Sequence, residues 1–220
     1  MTRADAPLAV RFVVAHNLPV SVTRVTAVMA TQLAATGIPV TVVVPLVDWL
    51  DFKLFQISRA GAWGKLRWAL RLMLECLWRG VVRWPWCGFA RYGADARIQV
   101  ERYWLIPSWT GHQAGEVTIV QHPYVIPNLL RGLGDHRAVI VSVVRNNYEQ
   151  EIRHPVPEQA AWKQHGVAIE RHLAVFRIAV SELAGQAAQR LGIPVDRVIH
   201  NGVDLCRFHP PATRVDRQPK

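Results

Sequence analysis

Short apolar runs rich in β-branched residues alternate with segments of helical period along most of the chain. Such runs are typical of strands that are buried on both faces of a sheet. After the first run, Val25, Val28 and Leu33 keep helical spacing, and Gly37 stands where a helix C-cap is expected. The pattern predicts strands over 8–16, 38–45, 116–123, 136–144, 174–181 and 196–202. It predicts helices over 22–37, 62–84, 158–173, 182–192 and the part of 124–134 that follows Pro127.

The first strand, helix and second strand fit within 40 residues, which is the length of a βαβ unit with parallel strands. The repeated alternation predicts an α/β fold. We expect a Rossmann-like, doubly wound, mostly parallel sheet of six to seven strands with helices on both faces. Residues 1–210 are expected to form this domain, and residues 211–220 a flexible tail or the start of a linker.

The stretch 46–115 interrupts the alternation and holds eight of the nine tryptophans. Its helix at 62–84 carries a narrow polar stripe, made of side chains four residues apart, on an otherwise apolar surface. One account is an interfacial helix that meets an anionic membrane through Trp63, Trp68, Arg71, Trp78 and Arg79. The other is a helix packed against the sheet that shows solvent only its polar stripe.

The charge balance favours anionic partners. Lys and Arg total 26 against 16 Asp and Glu, which gives a net charge of +10. Phosphates, nucleic acid and acidic lipid headgroups all fit this charge. Nucleic acid is the least favoured of the three, because the chain contains no recognised reader motif and its arginines are scattered or paired with acids.

The cysteines and the apolar runs bear on the compartment. The three cysteines are odd in number, far apart and never in C-x-x-C spacing, so they predict neither a disulfide framework nor a zinc site. A reducing compartment such as the cytoplasm fits them. Arg11 splits the first apolar run, so 8–16 is interpreted as a strand rather than a signal peptide. The sequence contains no run of 18 apolar residues, so it predicts no membrane span.

The region near the carboxyl end carries a group of motifs in a fixed order. "VSE" at 180–182 is followed by "LGIP", "RVIH", "NGVD" at 201–204 and "RFHP" at 207–210. This order resembles the link region of GT-B glycosyltransferases, especially those of family 4. The similarity extends to "VTIVQHPY" at 117–124 and covers 8–45 and 117–210.

The resemblance implies one half of an enzyme with two Rossmann-like domains that face each other across a cleft. This chain then looks like the N-terminal, acceptor-side domain, nearly inactive without a C-terminal donor-binding domain from the same gene or a separate subunit. The complete enzyme would transfer sugar, with retention, from a UDP- or GDP-sugar to a glycan or lipid-linked acceptor, and this domain alone would bind no cofactor. The alternative is a non-catalytic Rossmann-like subunit that recruits acceptor or membrane and activates a partner chain.

The resemblance and the predicted strand ends together indicate which residues line the cleft. Ligands of open α/β sheets gather at the carboxyl ends of strands. The expected cleft residues are His16, Asn17, Ser21, His122, Asn146, Glu170, Asn201, Gly202 and Asp204. His122 and His16 either orient an acceptor hydroxyl or bond to backbone at the edge of the core. Glu170 either assists at the cleft or supports a helix.

Two departures from the family pattern affect the chemistry. The first loop reads "NLPVS" and lacks the Gly-Gly pair that admits donor phosphate in the family. Where the family often has a histidine near the reacting sugar, this chain has Arg145, which either contacts an anion or is a surface side chain. His122 and Arg145 are the candidates for catalysis, and no residue is assigned. His165 and His172 are two helical turns apart with no third ligand evident, so no metal site is predicted.

Overall fold

The computed structural model describes most of the elements predicted from the sequence. It covers residues 8–14, 21–48, 50–81, 97–103, 116–121, 139–145, 148–153, 156, 159–173 and 175–200. The predicted helix in the later part of 124–134 and the tail at 211–220 lie outside the described residues.

Seven parallel strands form a single sheet, which confirms the predicted α/β Rossmann-like class. The strands are β1 (Ala9–Val13), β2 (Val40–Pro45), β3 (Ile98–Tyr103), β4 (Glu116–Val120), β5 (Val139–Val144), β6 (Phe176–Ala179) and β7 (Arg197–Val198). Their order in the sheet is β3-β2-β1-β4-β5-β6-β7. The first strand therefore lies inside the sheet, paired in parallel with β2 on one side and β4 on the other.

The helices lie on both faces of this sheet. They are α1 (Ser21–Ala35), α2 (Leu50–Arg59), α3 (Ala62–Val81), α4 (Tyr148–Arg153), α5 (Ala160–His172) and α6 (Glu182–Arg190). Successive side chains of a strand point to opposite faces. On β1, Phe12 packs with Ala30 of α1, whereas Val13 packs with Leu50 of α2 and Leu72 of α3.

Two glycines end helices in the way that their backbone angles require. Gly37, after α1, has φ of 85°, and Gly192, after α6, has φ of 76°. The N–H of Gly192 bonds to the carbonyl of Gln189 at 2.9 Å, and the next N–H, of Ile193, bonds to that of Ala188 at 3.0 Å. This pair of bonds is the Schellman motif, which satisfies the last carbonyls of a helix. Gly37 makes the same motif, as its sequence position predicted.

Arg11 is a buried cation in the middle of β1. Its guanidinium is paired with the carboxylates of Glu116 on β4 and Glu101 on β3, the latter at 2.6 Å. Burial lowers the pKa of Arg11, but hydrogen bonds and charge attraction from the two carboxylates outweigh this effect and the pKa is raised. The buried charge of Arg11, which splits the first apolar run, is thus neutralised by two acids, and this pairing allows a buried strand to include an arginine.

The structure adds three elements to those predicted from the sequence. β3 brings the strand count to seven and lies in the tryptophan-rich stretch, together with the short helix α2. Helix α4 follows β5 directly. The alternation of Ile98 and Val100 with polar Gln99 and Glu101 fits a strand, but the run is short and lies inside the tryptophan-rich stretch, so it was not predicted.

Candidate functional site

The carboxyl ends of β1 and β4 mark the point where the order of the sheet reverses. From β1 the chain builds outward to β2 and β3 on one side, and then to β4, β5, β6 and β7 on the other. The gap between such strands is where open α/β sheets bind ligands. Val14 follows β1 here, Gln121 follows β4, and Arg145 follows the neighbouring strand β5.

Gln121 and Arg145 form a polar pair at this edge. The backbone N–H of Gln121 bonds to the carbonyl of Val13 at 3.1 Å, which fixes the glutamine beside the end of β1. Its side-chain Oε1 accepts a hydrogen bond from Nε of Arg145 at 2.6 Å. Gln121 is only 1% exposed, and Arg145 is half-buried. The pair is therefore held in one geometry by the backbone of β1, β4 and β5.

Arg145 carries a charge that no acid neutralises among the described residues. Its one side-chain hydrogen bond to a described residue goes to the neutral amide of Gln121, and no described carboxylate lies within ion-pair distance. Burial lowers the pKa of Arg145 to about 10, so the guanidinium stays protonated at neutral pH. A partly desolvated cation without a counter-ion favours an anionic ligand, and arginine presents donors suited to phosphate and carboxylate.

The amide nitrogen of Gln121 adds a further donor at the same place. Nε2 of Gln121 is buried and has no hydrogen-bond partner among the residues that the structure describes. A buried donor left unpaired is unfavourable, and a ligand acceptor relieves this penalty. Helix α6 also begins at this edge, since the N–H of Val180 bonds to the carbonyl of Val144 at 3.1 Å. Its N-terminal dipole is positive, and Glu182 in its first turn offsets this potential.

Glu170 lies inside the domain. Its carboxylate accepts a hydrogen bond from the hydroxyl of Ser142, in the middle of β5, at 3.1 Å, and Nε of Arg177 on β6 lies 3.9 Å away. Burial raises the pKa of Glu170 to about 7, although the Ser142 bond and the charge of Arg177 oppose the shift. The structure thus places Glu170 between α5 and the sheet, with Ser142 three residues before Arg145 along the chain. Its suggested cleft role stays a prediction.

Arg177 completes the buried group around Glu170. Its guanidinium donates to the backbone carbonyl of Glu170, to that of Leu173 at 2.8 Å and to that of Val175 at 3.2 Å. These carbonyls belong to the last turn of α5 and the loop that follows, where a helix lacks backbone donors. Arg177 is therefore a structural cap, which accounts for a buried cation without assigning it a ligand.

Most other predicted cleft residues lie outside the described part of the chain. Ser21 is the first residue of α1, so it stands at a helix N-terminus, and its side chain is not among those described. The remaining residues outside the description are His16, Asn17, His122, Asn146, Asn201, Gly202 and Asp204. Of the two catalytic candidates, the structure describes only Arg145.

The five predicted membrane-contact residues all belong to α3, and the structure shows which way it faces. Trp63 is 84% exposed and Trp78 is 59% exposed, whereas Trp68 is half-buried with the guanidinium of Arg71 5.4 Å from its ring centroid. The side chain of Arg79 lies outside those described. The outer face of α3, as we use the term, consists of exposed Trp63, Leu66, Leu70, Met73, Leu74, Leu77 and Trp78. The account in which solvent sees only a polar stripe is therefore wrong.

The described residues contain neither a metal-binding cluster nor a membrane-spanning helix. No three histidine, cysteine, aspartate or glutamate side chains there are grouped so as to hold a metal ion. None of the helices in these ranges has the length and apolar character needed to cross a bilayer.

Comparisons with known proteins identify no relative of this chain. The chain matches no family model, and searches of curated proteins and of solved structures find no similar chain. Sequence reasoning named Arg145, which follows β5, but overlooked Gln121, because glutamine at a strand end carries no distinctive pattern. The signal available was its place directly after a buried strand of a parallel sheet.

Proposed function

We propose that this chain is the acceptor-side domain of a retaining, family 4-like GT-B glycosyltransferase. The observation that carries the proposal is the pair formed by Arg145 and Gln121 at the reversal point of a parallel sheet. The motif order from "VSE" to "RFHP" supports the same assignment by resemblance. In this proposal a UDP- or GDP-sugar is a substrate of the complete enzyme, and a C-terminal GT-B domain supplies most of the donor site.

The role assigned to Arg145 follows from its environment. A fixed guanidinium without a described counter-ion is suited to a phosphate group that enters the cleft, either on the donor or on a lipid-linked acceptor. Gln121 positions the guanidinium through Oε1 and offers Nε2 as a second donor. Because diphosphate departs with negative charge, a preorganised cation nearby stabilises the transition state more than the ground state.

The proposal also includes a location and partners. We place the reaction in the cytoplasm, with the domain peripheral on the membrane, and the acceptor is a glycan or a lipid-linked glycan. Cys76 is buried in the core and is not part of a disulfide among the described residues, which is compatible with a reducing compartment. A nucleic-acid partner is not proposed.

The test is sugar transfer by the chain together with its C-terminal domain, either in one reading frame or as an added subunit. UDP and GDP release is measured with UDP- and GDP-sugars, with and without a polyprenyl-phosphate acceptor. We expect acceptor-dependent release that Arg145→Met reduces by about a hundredfold, as loss of one preorganised transition-state donor typically does. Gly202→Val is expected to reduce it as well.

One control variant and two contrary outcomes complete this test. Arg24→Met removes an exposed cation from α1 and is expected to leave release unchanged. Release that is unaffected by Arg145→Met removes this arginine from the mechanism. If no donor is used but the chain stimulates a partner enzyme, the non-catalytic subunit is the correct function.

A further inference from the structure

Helix α3 has two apolar faces that lie on opposite sides of its axis. Successive residues are about 100° apart around an α-helix, since a turn contains 3.6 residues. Leu72 and Cys76 point into the core, with half-buried Trp68 beside them. The outer face is centred about 180° away by this spacing and points to solvent. Packing of α3 against the sheet explains the first face and leaves the second without a role.

Exposed cations border the outer face. Arg67 and Arg71 flank an open groove between Trp63, Leu70 and Leu74. Lys65 is exposed on the same helix. The only acid of α3, Glu75, is turned away and pairs with Lys53 of α2 at 2.6 Å. The surface is therefore apolar at its centre and positive along its side.

We propose that the outer face of α3 docks in the plane of an anionic lipid bilayer. An apolar helix face bordered by arginines suits the boundary between acyl chains and negatively charged headgroups. Trp63 and Trp78 stand near opposite ends of the face, and the indole ring prefers this interfacial depth. The two tryptophans are 15 residues apart, which is about 22 Å along a helix, so the contact is extended.

A second copy of the chain fits this surface less well. Arg67 and Arg71 lie on one side of the outer face, so antiparallel pairing of two α3 helices through these faces brings the arginines of one copy near those of the other. Helix pairs of this kind are normally stabilised by acids that face bases along the seam. The outer side of α3 offers no acid for this purpose, since Glu75 is engaged by Lys53. Negative lipid headgroups provide the complementary charge over the whole length.

The experiment is co-sedimentation of the whole chain with vesicles. One set contains phosphatidylglycerol and phosphatidylcholine in roughly equal amounts, and the other contains phosphatidylcholine alone. We expect binding to the anionic vesicles that is at least about tenfold tighter than to the neutral ones and that weakens with salt. This inference does not require sugar transfer; if it fails, the proposed transfer activity stands and only the membrane location is lost.

Two matched pairs of variants separate the contributions. Leu70→Ser with Leu74→Ser disrupts the outer face, and Leu183→Ser with Ile199→Ser removes two similarly exposed apolar side chains elsewhere. Arg67→Glu with Arg71→Glu reverses the border charge, and Arg24→Glu with Arg197→Glu reverses two exposed charges on α1 and β7. We expect the two α3 variants to reduce vesicle binding by about tenfold or more and the two controls to change it less than about twofold.

Three results would overturn the proposal. The first is absence of binding to the anionic vesicles. The second is an equal loss of binding in the α3 variants and in their controls. The third is an outer-face variant that converts a dimer to a monomer while vesicle binding is retained, which assigns the surface to a second copy. Circular dichroism and urea unfolding confirm that each variant is folded; the affected residues are exposed, so folding is expected to persist.

Discussion

The carboxylate of Glu170, in the last turn of α5, accepts a hydrogen bond from the hydroxyl of Ser142, in the middle of β5, at 3.1 Å. The other carboxylate oxygen, Oε2, is buried and has no hydrogen-bond partner among the described residues. A carboxylate so enclosed is more readily protonated, which is why its pKa is raised to about 7. The contact therefore makes the stability of the fold depend on pH.

The first prediction concerns Glu170→Gln. The folded chain keeps the Glu170 proton up to about pH 7, whereas an ordinary glutamate loses it near 4.5. Raising the pH between these values therefore lowers the free energy of unfolding, by up to about 3 kcal/mol. The amide does not titrate, so Glu170→Gln is expected to flatten this decline in urea unfolding between pH 4.5 and 8. Glu182→Gln, which changes an exposed acid, should leave the decline in place.

The second prediction concerns the buried cluster of β1. Arg11→Met leaves the buried carboxylate of Glu116 without its cation, and loss of one partner from a buried pair typically costs about 3 to 5 kcal/mol. We expect a loss of this size in urea unfolding. Adding Glu116→Leu removes the stranded charge and should recover at least half of it. A double variant no more stable than Arg11→Met contradicts this account; Arg24→Met is the control for loss of an exposed charge.

The third prediction tests the charge of Arg145 without removing it. Gln121→Glu places a carboxylate against the guanidinium, where the present contact is a 2.6 Å hydrogen bond to a neutral amide. The new ion pair satisfies Arg145, so pyrophosphate binding measured by calorimetry is expected to weaken by about tenfold, or 1.4 kcal/mol. Thermal stability should not fall. Gln189→Glu adds the same charge on exposed α6 and is the control; equal weakening there attributes the effect to net charge.

The fourth prediction compares glycines that have equal room but different backbone angles. A Cβ added at Gly37 or at Gly61 meets no atom within 4 Å, but only Gly37 has a positive φ, of 85°. Gly37→Ala is therefore expected to lower the free energy of unfolding by about 1 kcal/mol through backbone strain alone. Gly61→Ala should be neutral or slightly stabilising in the same urea experiment. Equal effects contradict the assignment of the strain.

The sequence pattern predicted the parallel sheet because buried strands leave a local trace. The β-branched runs that became β1, β2 and β5 are recognisable from their neighbours alone, and Gly37 and Gly192 end their helices as expected. β3 was missed because it is a short edge strand inside the tryptophan-rich stretch, and the pairing of Glu101 with Arg11, 90 residues away, is not visible locally. Partners so distant leave no local signal.

The site was only partly accessible from the sequence for the same reason. Arg145 was named as an anion contact or a surface side chain, and its half-buried position beside Gln121 depends on β4 and β5 being adjacent. The sequence pattern also did not show which side of α3 faces solvent. A helix that is apolar around most of its circumference does not reveal which side the sheet covers.

The span of chain between Arg11 and its two acids has a consequence for biosynthesis. Glu101 is made 90 residues after Arg11, and Glu116 is made 105 residues after it. A nascent chain that emerges from the ribosome therefore exposes β1 and β2 together while the cation still lacks its acids and must remain hydrated. Closure of the sheet's centre therefore waits until the chain through β4 has emerged, which is slightly more than half of the 220 residues.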